Sequence, residues 1–247
     1  MAPHARTLDG GAAVTVRGLS RSFGARVVLD ALDLVIPDGE FVALLGRSGS
    51  GKSTLLRALA GLDHEAAGSG ELMVAANRSV VFQDARLLPW ERVLQNVMLG
   101  LDDPDARARA SSALAEVGLA GREHAWPSEL SGGEQQRAAL ARSLVREPRL
   151  LLFDEPFGAL DALTRIKMHD LVRELCARHR PAVLLVTHDV DEAVLLADRV
   201  VVLVDGRIRV DRKIEMHGER SYRDSLFQEY RDLLLDALGV TAERKIA

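Results

Sequence analysis

Short, wholly apolar runs that each lead into a polar residue or a glycine constrain this chain most. FVALL (41 to 45) runs into Gly46, LLLF (150 to 153) into Asp154, AVLLV (182 to 186) into Thr187 and the VVVLV of RVVVLV (199 to 204) into Asp205. A strand solvated on one face alternates apolar and polar residues, whereas one covered on both faces does not. Between the runs lie stretches with helical spacing: STLLRALAGL (53 to 62), DALTRIKMHDLVRELCARH (161 to 179) and DEAVLLAD (191 to 198). Buried strands alternating with helices imply a parallel, doubly wound α/β sheet. Ligand sites in such sheets gather at the carboxyl ends of the strands, so the residues that close the runs are the first functional candidates.

The rest of the chain decorates that core. VTVRGL, RVVLDAL and LDLVI near the N-terminus, with a Pro37-Asp38-Gly39 turn before FVALL, read as further β structure. SVVFQ (79 to 83) is another strand. From 84 to 148 the character turns helical, through DPDARARASSALAEVGL and GEQQRAALARSLVRE. Asp205-Gly206 signals a two-residue hairpin. The tail closes as an amphipathic helix with Leu226, Tyr230, Leu233 and Ala237 on one face. These shifts suggest a single domain of parts: 14–83 with 149–210 as core and β subdomain, 84–148 as a helical subdomain, 211–247 as a C-terminal tail. MAPHARTLDGGA reads as a solvated leader without an apolar signal core. No apolar run approaches the roughly 18 residues of a membrane span. The net charge of −4 argues against a general nucleic-acid binder. The lone Cys176, in the half-apolar LVRELCAR, fits a packed thiol in a reducing compartment.

Gly46-Arg47-Ser48-Gly49-Ser50-Gly51-Lys52-Ser53, followed by Thr54, fits G-x-x-x-x-G-K-[ST] between a buried strand and a helix. In that context backbone N–H groups and the helix N-terminus cradle phosphate oxygens. Lys52 reaches the β- and γ-phosphates, and the Ser53 hydroxyl suits Mg²⁺. Asp154 and Glu155 end the next apolar strand, and adjacent strand residues point opposite ways. They divide the work: Asp154 toward Mg²⁺ through water, Glu155 toward an attacking water. His188 ends a third strand just outside a helix start, where Asp189 and Glu192 resemble a capping box, and it is a candidate γ-phosphate contact. Gln83 ends a strand too, with an amide suited to Mg²⁺ or to the attacking water. LSGGEQQR (130 to 137) is a helix start in which Ser131 and Glu134 make a capping box. That explains neither Gly132 nor Gly133, since each costs about 1 kcal/mol against alanine in a helix. Glycine there suits a group that must approach the backbone closely, and a γ-phosphate fits the free first-turn N–H groups.

With these residues in this order, the chain resembles the ATP-binding subunits of ABC transporters along nearly its whole length. Gly46 to Ser53 match the family's phosphate loop, Gln83 its Q-loop, LSGGEQQR its signature, LLLFDEP its acidic strand, Ala159-Leu160-Asp161 its D-loop and His188 its switch histidine. Phe23 lies where the family places an adenine-stacking aromatic. The resemblance implies a P-loop NTPase (RecA-like) parallel core with an N-terminal antiparallel β subdomain and an inserted helical subdomain. It also implies ATP and Mg²⁺ as cofactors, and a head-to-tail homodimer that sandwiches ATP between one subunit's phosphate loop and the other's Ser131, Gly132 and Gly133. Further implied partners are two transmembrane permease subunits at the cytoplasmic face of the inner membrane and, indirectly, a periplasmic solute-binding protein; nucleic acid is not among them. VFQDARLLPWERVLQNV (81 to 97) and FGALDALTR (157 to 165) look like the aliphatic sulfonate importers, with taurine and nitrate importers as alternatives. Soluble ABC-type ATPases that act on nucleic acid form a second class. They usually separate the two halves of the site with long coiled coils, and only a compact helical stretch separates them here. Leu87, Leu88 and Trp90 are either core or a docking surface for the permease.

Overall fold

The apolar runs form the centre of a mixed α/β fold, described by the computed structural model for residues 6–7, 11–216, 218 and 220–240. In chain order the elements are β1 (Arg6–Thr7), β2 (Ala12–Phe23), β3 (Arg26–Pro37), β4 (Phe41–Leu45), α1 (Lys52–Ala60), β5 (Ala67–Val74), β6 (Arg78–Val81), α2 (Val93–Met98), α3 (Ala106–Glu116), α4 (Gly132–Leu144), β7 (Leu150–Asp154), α5 (Ala162–His179), β8 (Ala182–Thr187), α6 (Val190–Leu196), β9 (Arg199–Val204), β10 (Arg207–Lys213) and α7 (Ser225–Ala237). The chain divides into two compact units. One takes the described residues up to Ala76 and from Ala182 onward, and the other is Asn77–Pro181.

In the first unit, β4 lies between β8 and β9, parallel to both, and β10 returns antiparallel on β9 through Asp205-Gly206. Every residue of β4 and β8 is buried, which is why these strands lack alternation. α1 and α6 pack on this sheet. A second sheet, in the order β1-β5-β2-β3, is antiparallel except where β1 joins β5. The stretches VTVRGL and RVVLDAL–LDLVI prove to be parts of two 12-residue strands, bent by register shifts rather than broken. β5 carries no strong strand pattern and escapes a reading by periodicity. The expected leader is corrected in part: Arg6 and Thr7 pair with Met73 and Val74, and Ala12 opens β2. Its remaining residues before Gly11 lie outside the described residues.

α7 forms as expected but with a different face inward. Phe227, Tyr230, Leu234 and Leu238 are buried, while Leu226 and Leu233 are 42% and 40% exposed. Turning the helix by one residue exchanges Leu226 for the larger Phe227, which removes more apolar area from water. Tyr230 belongs to both stripes, and its hydroxyl accepts the Glu215 N–H at 3.0 Å. Arg231 pairs with Asp191 of α6 at 2.8 Å, holding α7 on that helix.

In the second unit β6 and β7 form a parallel pair, and α2, α3 and α4 pack against one another. β6 ends at Val81, two residues short of Gln83. α5 begins on an Asp161 cap and packs on α4.

Gly206 joins three pieces of the first unit. Its N–H donates to Ser50 O (3.1 Å), and its carbonyl accepts from Asp30 N (3.0 Å). Its φ is +77°, and a Cβ there would lie 2.4 Å from the Val28 carbonyl oxygen. Gly206→Ala should destabilise the fold by about 2 kcal/mol or more, lowering the thermal midpoint by roughly 5 °C. An unchanged midpoint in calorimetry would show that the junction is not confined.

Candidate functional site

The phosphate loop is built by β4 running into α1. Gly51 takes a left-handed conformation (φ 108°) and starts the helix without a side-chain cap. The N–H groups of that first turn are therefore open to an anion. Ser50 N donates to Arg47 O at 3.1 Å and closes the turn. Lys52 is 6% exposed, and its ammonium donates to the carbonyls of Gly46 (2.7 Å) and Arg47 (3.3 Å). A buried cation that rests on neutral carbonyls gains from exchanging them for phosphate oxygens. Gly46 is explained by packing, because its Cβ would meet Ser50 Oγ at 2.4 Å and Leu203 O at 2.6 Å. Arg47, Ser48, Gly49 and Ser53 are exposed, and Thr54 is half-buried. Phe23, also in this unit, ends β2 with 42% of its surface exposed.

His188 follows β8 and is exposed, between two anchored neighbours. Asp189 caps α6, accepting from Asp191 N (2.8 Å) and Glu192 N (3.2 Å). The expected reciprocal bond is relayed. Asp189 N donates to Thr187 Oγ1 (3.0 Å), and that hydroxyl donates to Glu192 Oε2 (2.7 Å). Thr187 and Glu192 are both buried, so the backbone on either side of His188 is tied to the first turn of α6. The Thr187 hydroxyl is the participant that the capping-box pattern does not reveal.

In the second unit, Asp154 closes β7 and Glu155 follows it, both half-buried. Glu155 has φ +48°, a strained value for a non-glycine residue. The buried rings of Phe153 and Phe157 flank the two acids, with centroids 6.4 Å apart. Gln83 is exposed, and a Cβ on Gly158 would lie 3.4 Å from its Nε2. The structure thus brings Gln83 to the turn that follows Glu155.

The signature helix α4 starts on a complete capping box. Glu134 N donates to Ser131 Oγ (3.3 Å), and Ser131 N donates to Glu134 Oε2 (2.8 Å). The Ser131 N–H holds the Glu134 carboxyl below its ordinary range, helped by Arg122 at 3.0 Å. The two glycines have different reasons. A Cβ on Gly132 would meet nothing within 4 Å, whereas one on Gly133 would lie 2.6 Å from Thr164 Cγ2. Gly133 is therefore a packing glycine, and only Gly132 leaves open space for an approaching group. Asp161 fixes Thr164 by accepting from its N–H (3.1 Å) and its hydroxyl (2.6 Å). That hydroxyl pulls the Asp161 carboxyl below its usual range. D-x-x-T at the start of a helix is a capping pattern that points to Thr164 in sequence; its contact with Gly133 leaves no such trace.

α4 also grips the segment around Gln83. Buried Gln136 donates to Phe82 O (2.9 Å), and Arg142 donates to Ala85 O (2.7 Å) and Arg86 O (2.8 Å). Arg86 has φ +47° and sets its guanidinium 3.6 Å from the centre of the Phe82 ring. Further on, buried Asn96 accepts from Leu88 N (2.6 Å) and donates to Leu88 O (3.1 Å). Leu87 and Leu88 are half-buried, but Trp90 is 69% exposed and so is not core.

The residues expected to meet a metal carry hard donors, of the kind that suits Mg²⁺ rather than a softer metal. Ser53, Asp154 and Gln83 offer only oxygen ligands. Among the described residues, no cluster of three or more His, Cys, Asp or Glu forms a self-contained cage.

Gly133→Ala should lower stability by about 1–3 kcal/mol through overpacking, Gly132→Ala should not, and adding Thr164→Ser to Gly133→Ala should restore most of the loss. Thermal unfolding of the set is the check; a greater loss for Gly132→Ala would refute the packing role of Gly133.

Three comparisons bear on this geometry. The ABC transporter family model matches residues 29–158. The chain is 70% identical over 229 residues to an aliphatic sulfonates import ATP-binding protein of Streptomyces avermitilis, covering 93% of this chain and 92% of that one. It is 70% identical over 227 residues to a protein described in the same words from Nocardia farcinica, covering 92% and 95%. Among solved structures, a dimeric ATP-binding cassette in a post-hydrolysis state with ADP and phosphate bound is similar at a TM-score of 0.71 and 30% identity, over 83% of this chain and all of that one. A Clostridium perfringens protein that is part of an ABC transporter complex is similar at a TM-score of 0.78 and 25% identity, over 95% and 100%. A family pattern laid over the phosphate loop, the signature and the acidic strand, together with relatives aligned along more than nine-tenths of both chains, places this chain in the ABC transporter family as an ATP-binding subunit.

Proposed function

We propose that this subunit hydrolyses MgATP to energise the import of aliphatic sulfonates. The observation that carries the ATPase reading is the loop from Gly46 to Ser53, in which a buried Lys52 rests on carbonyls it can exchange for phosphate oxygens. The solute class is supported by the descriptions of relatives at 70% identity along nearly the whole chain.

The residues divide the work as follows. Phe23 stacks on the adenine. The backbone from Gly46 to Thr54 binds the phosphates, with Lys52 on the β- and γ-oxygens. Ser53, Gln83 and, through water, Asp154 would hold Mg²⁺, which would neutralise charge on the β- and γ-phosphates. Glu155 orients the attacking water and accepts its proton. Its left-handed backbone is the kind of strain found where a site dictates a side chain's direction. His188, fixed by the Thr187–Glu192 relay, contacts the γ-phosphate. Ser131 and Gly132, at the open first turn of α4, close on the nucleotide of a second subunit placed head to tail, and Asp161 lies at the same subunit interface. That homodimer works with two permease subunits and, through them, with a solute-binding protein on the far side of the membrane. Among the described residues no helix is long and apolar enough to cross a membrane. Attachment at the cytoplasmic face therefore runs through the permease, and exposed Trp90 is the residue best placed to dock on it.

Two variants test the reading. Lys52→Ala should abolish MgATP binding, measured by equilibrium titration. Glu155→Gln should retain binding and slow hydrolysis by on the order of a hundredfold, about 3 kcal/mol. Near-normal turnover would remove Glu155 from its role, and undiminished affinity in the lysine variant would remove Lys52.

A further inference from the structure

A cavity of about 940 Å³ opens beside the phosphate loop, with Arg26, Arg47, Gly49, Ser50, Arg207 and Arg209 in its lining. The arginines differ in their commitments. Arg207 directs its guanidinium at Asp30, with contacts of 3.0 and 2.6 Å. The Arg26 side chain makes no hydrogen bond or ion pair among the described residues. Its Nη2 lies 3.8 Å from the point where a Cβ of Gly49 would stand, which sets the guanidinium at the rim of the loop. Across the β2–β3 turn, Arg26 is the direct pairing partner of Phe23. An exposed aromatic ring, an uncommitted cation and the phosphate cradle thus follow one another in space within one unit.

We infer that Arg26 is a nucleotide-binding residue whose guanidinium takes the α-phosphate of the bound nucleotide. This rests on the reading above, in which the base lies on Phe23 and the terminal phosphates lie on the loop. A nucleotide laid that way carries its ribose and α-phosphate past Arg26. A guanidinium keeps its charge at any physiological pH and matches phosphate oxygens with paired N–H donors. Because the Arg26 side chain is exposed and holds no partner among the described residues, recruiting it breaks no contact among them. Lys52 places its charge on the β- and γ-phosphates, so Arg26 adds a side-chain cation at the α-phosphate, which the loop otherwise meets with backbone N–H groups alone.

The test is titration of the full chain with MgATP and MgADP. Both nucleotides share the α-phosphate, so Arg26→Gln should weaken both by about tenfold, the size of one charge-assisted hydrogen bond. Arg26→Lys should recover part of the loss. Arg209→Gln, which removes another charge from the same cavity, should bind as the parent does. The unliganded Arg26→Gln chain should melt with the parent, which separates lost contact from lost folding. Parent-like affinity in Arg26→Gln, while Lys52→Ala fails to bind, would overturn the inference and leave the ATPase reading standing. A loss confined to ATP would move the contact to the γ-phosphate and overturn it. So would an equal loss in Arg209→Gln, since that is a diffuse field and not a contact. A parent chain that binds neither nucleotide would overturn the ATPase reading itself, and the inference with it.

Discussion

The floor of the phosphate loop is set by main-chain bonds at Gly206. One donor and one acceptor of a single residue tie Ser50, in the loop, to Asp30, in the antiparallel sheet. The hairpin that carries Gly206 descends from β9, which lies beside β4, the strand that launches the loop. A loop pinned through backbone atoms has no rotamer to change. Its N–H groups are therefore aimed before any anion arrives, and the cost of organising them is met during folding. The Asp30–Arg207 pair, 2.6 Å apart at the surface, flanks this junction and adds little energy of its own.

Much of this was legible in the sequence because the informative signals are local. The wholly apolar runs became β4, β7, β8 and β9, since a strand buried on both faces cannot alternate. Asp205-Gly206 marked its hairpin, and Ser131 with Glu134 marked the start of α4 down to both bonds of the capping box. In each case the residues that determine the geometry lie within a few positions of one another.

What escaped the sequence depends on contacts between distant residues. Gly133 was open to being read as a site for an approaching ligand, yet its neighbour is Thr164, 31 positions on. α7 offered two apolar stripes that overlap at Tyr230, and the larger ring of Phe227 decided between them. The relay through Thr187 was hidden because a strand's last residue does not announce that its hydroxyl will serve the next helix. The left-handed backbone of Glu155 was hidden as well, because an acid after an apolar strand carries no cue for positive φ.

α4 is held at its first turn by Thr164, which Asp161 fixes, and along its length by Gln136 and Arg142, which hold the chain on either side of Gln83. The second unit thereby gives up independent degrees of freedom among three sequence motifs. α4 touches both the turn that Asp161 caps and the left-handed chain at Arg86. One helix is thus the common support of the signature turn, the Asp161 turn and the segment that leads to Trp90.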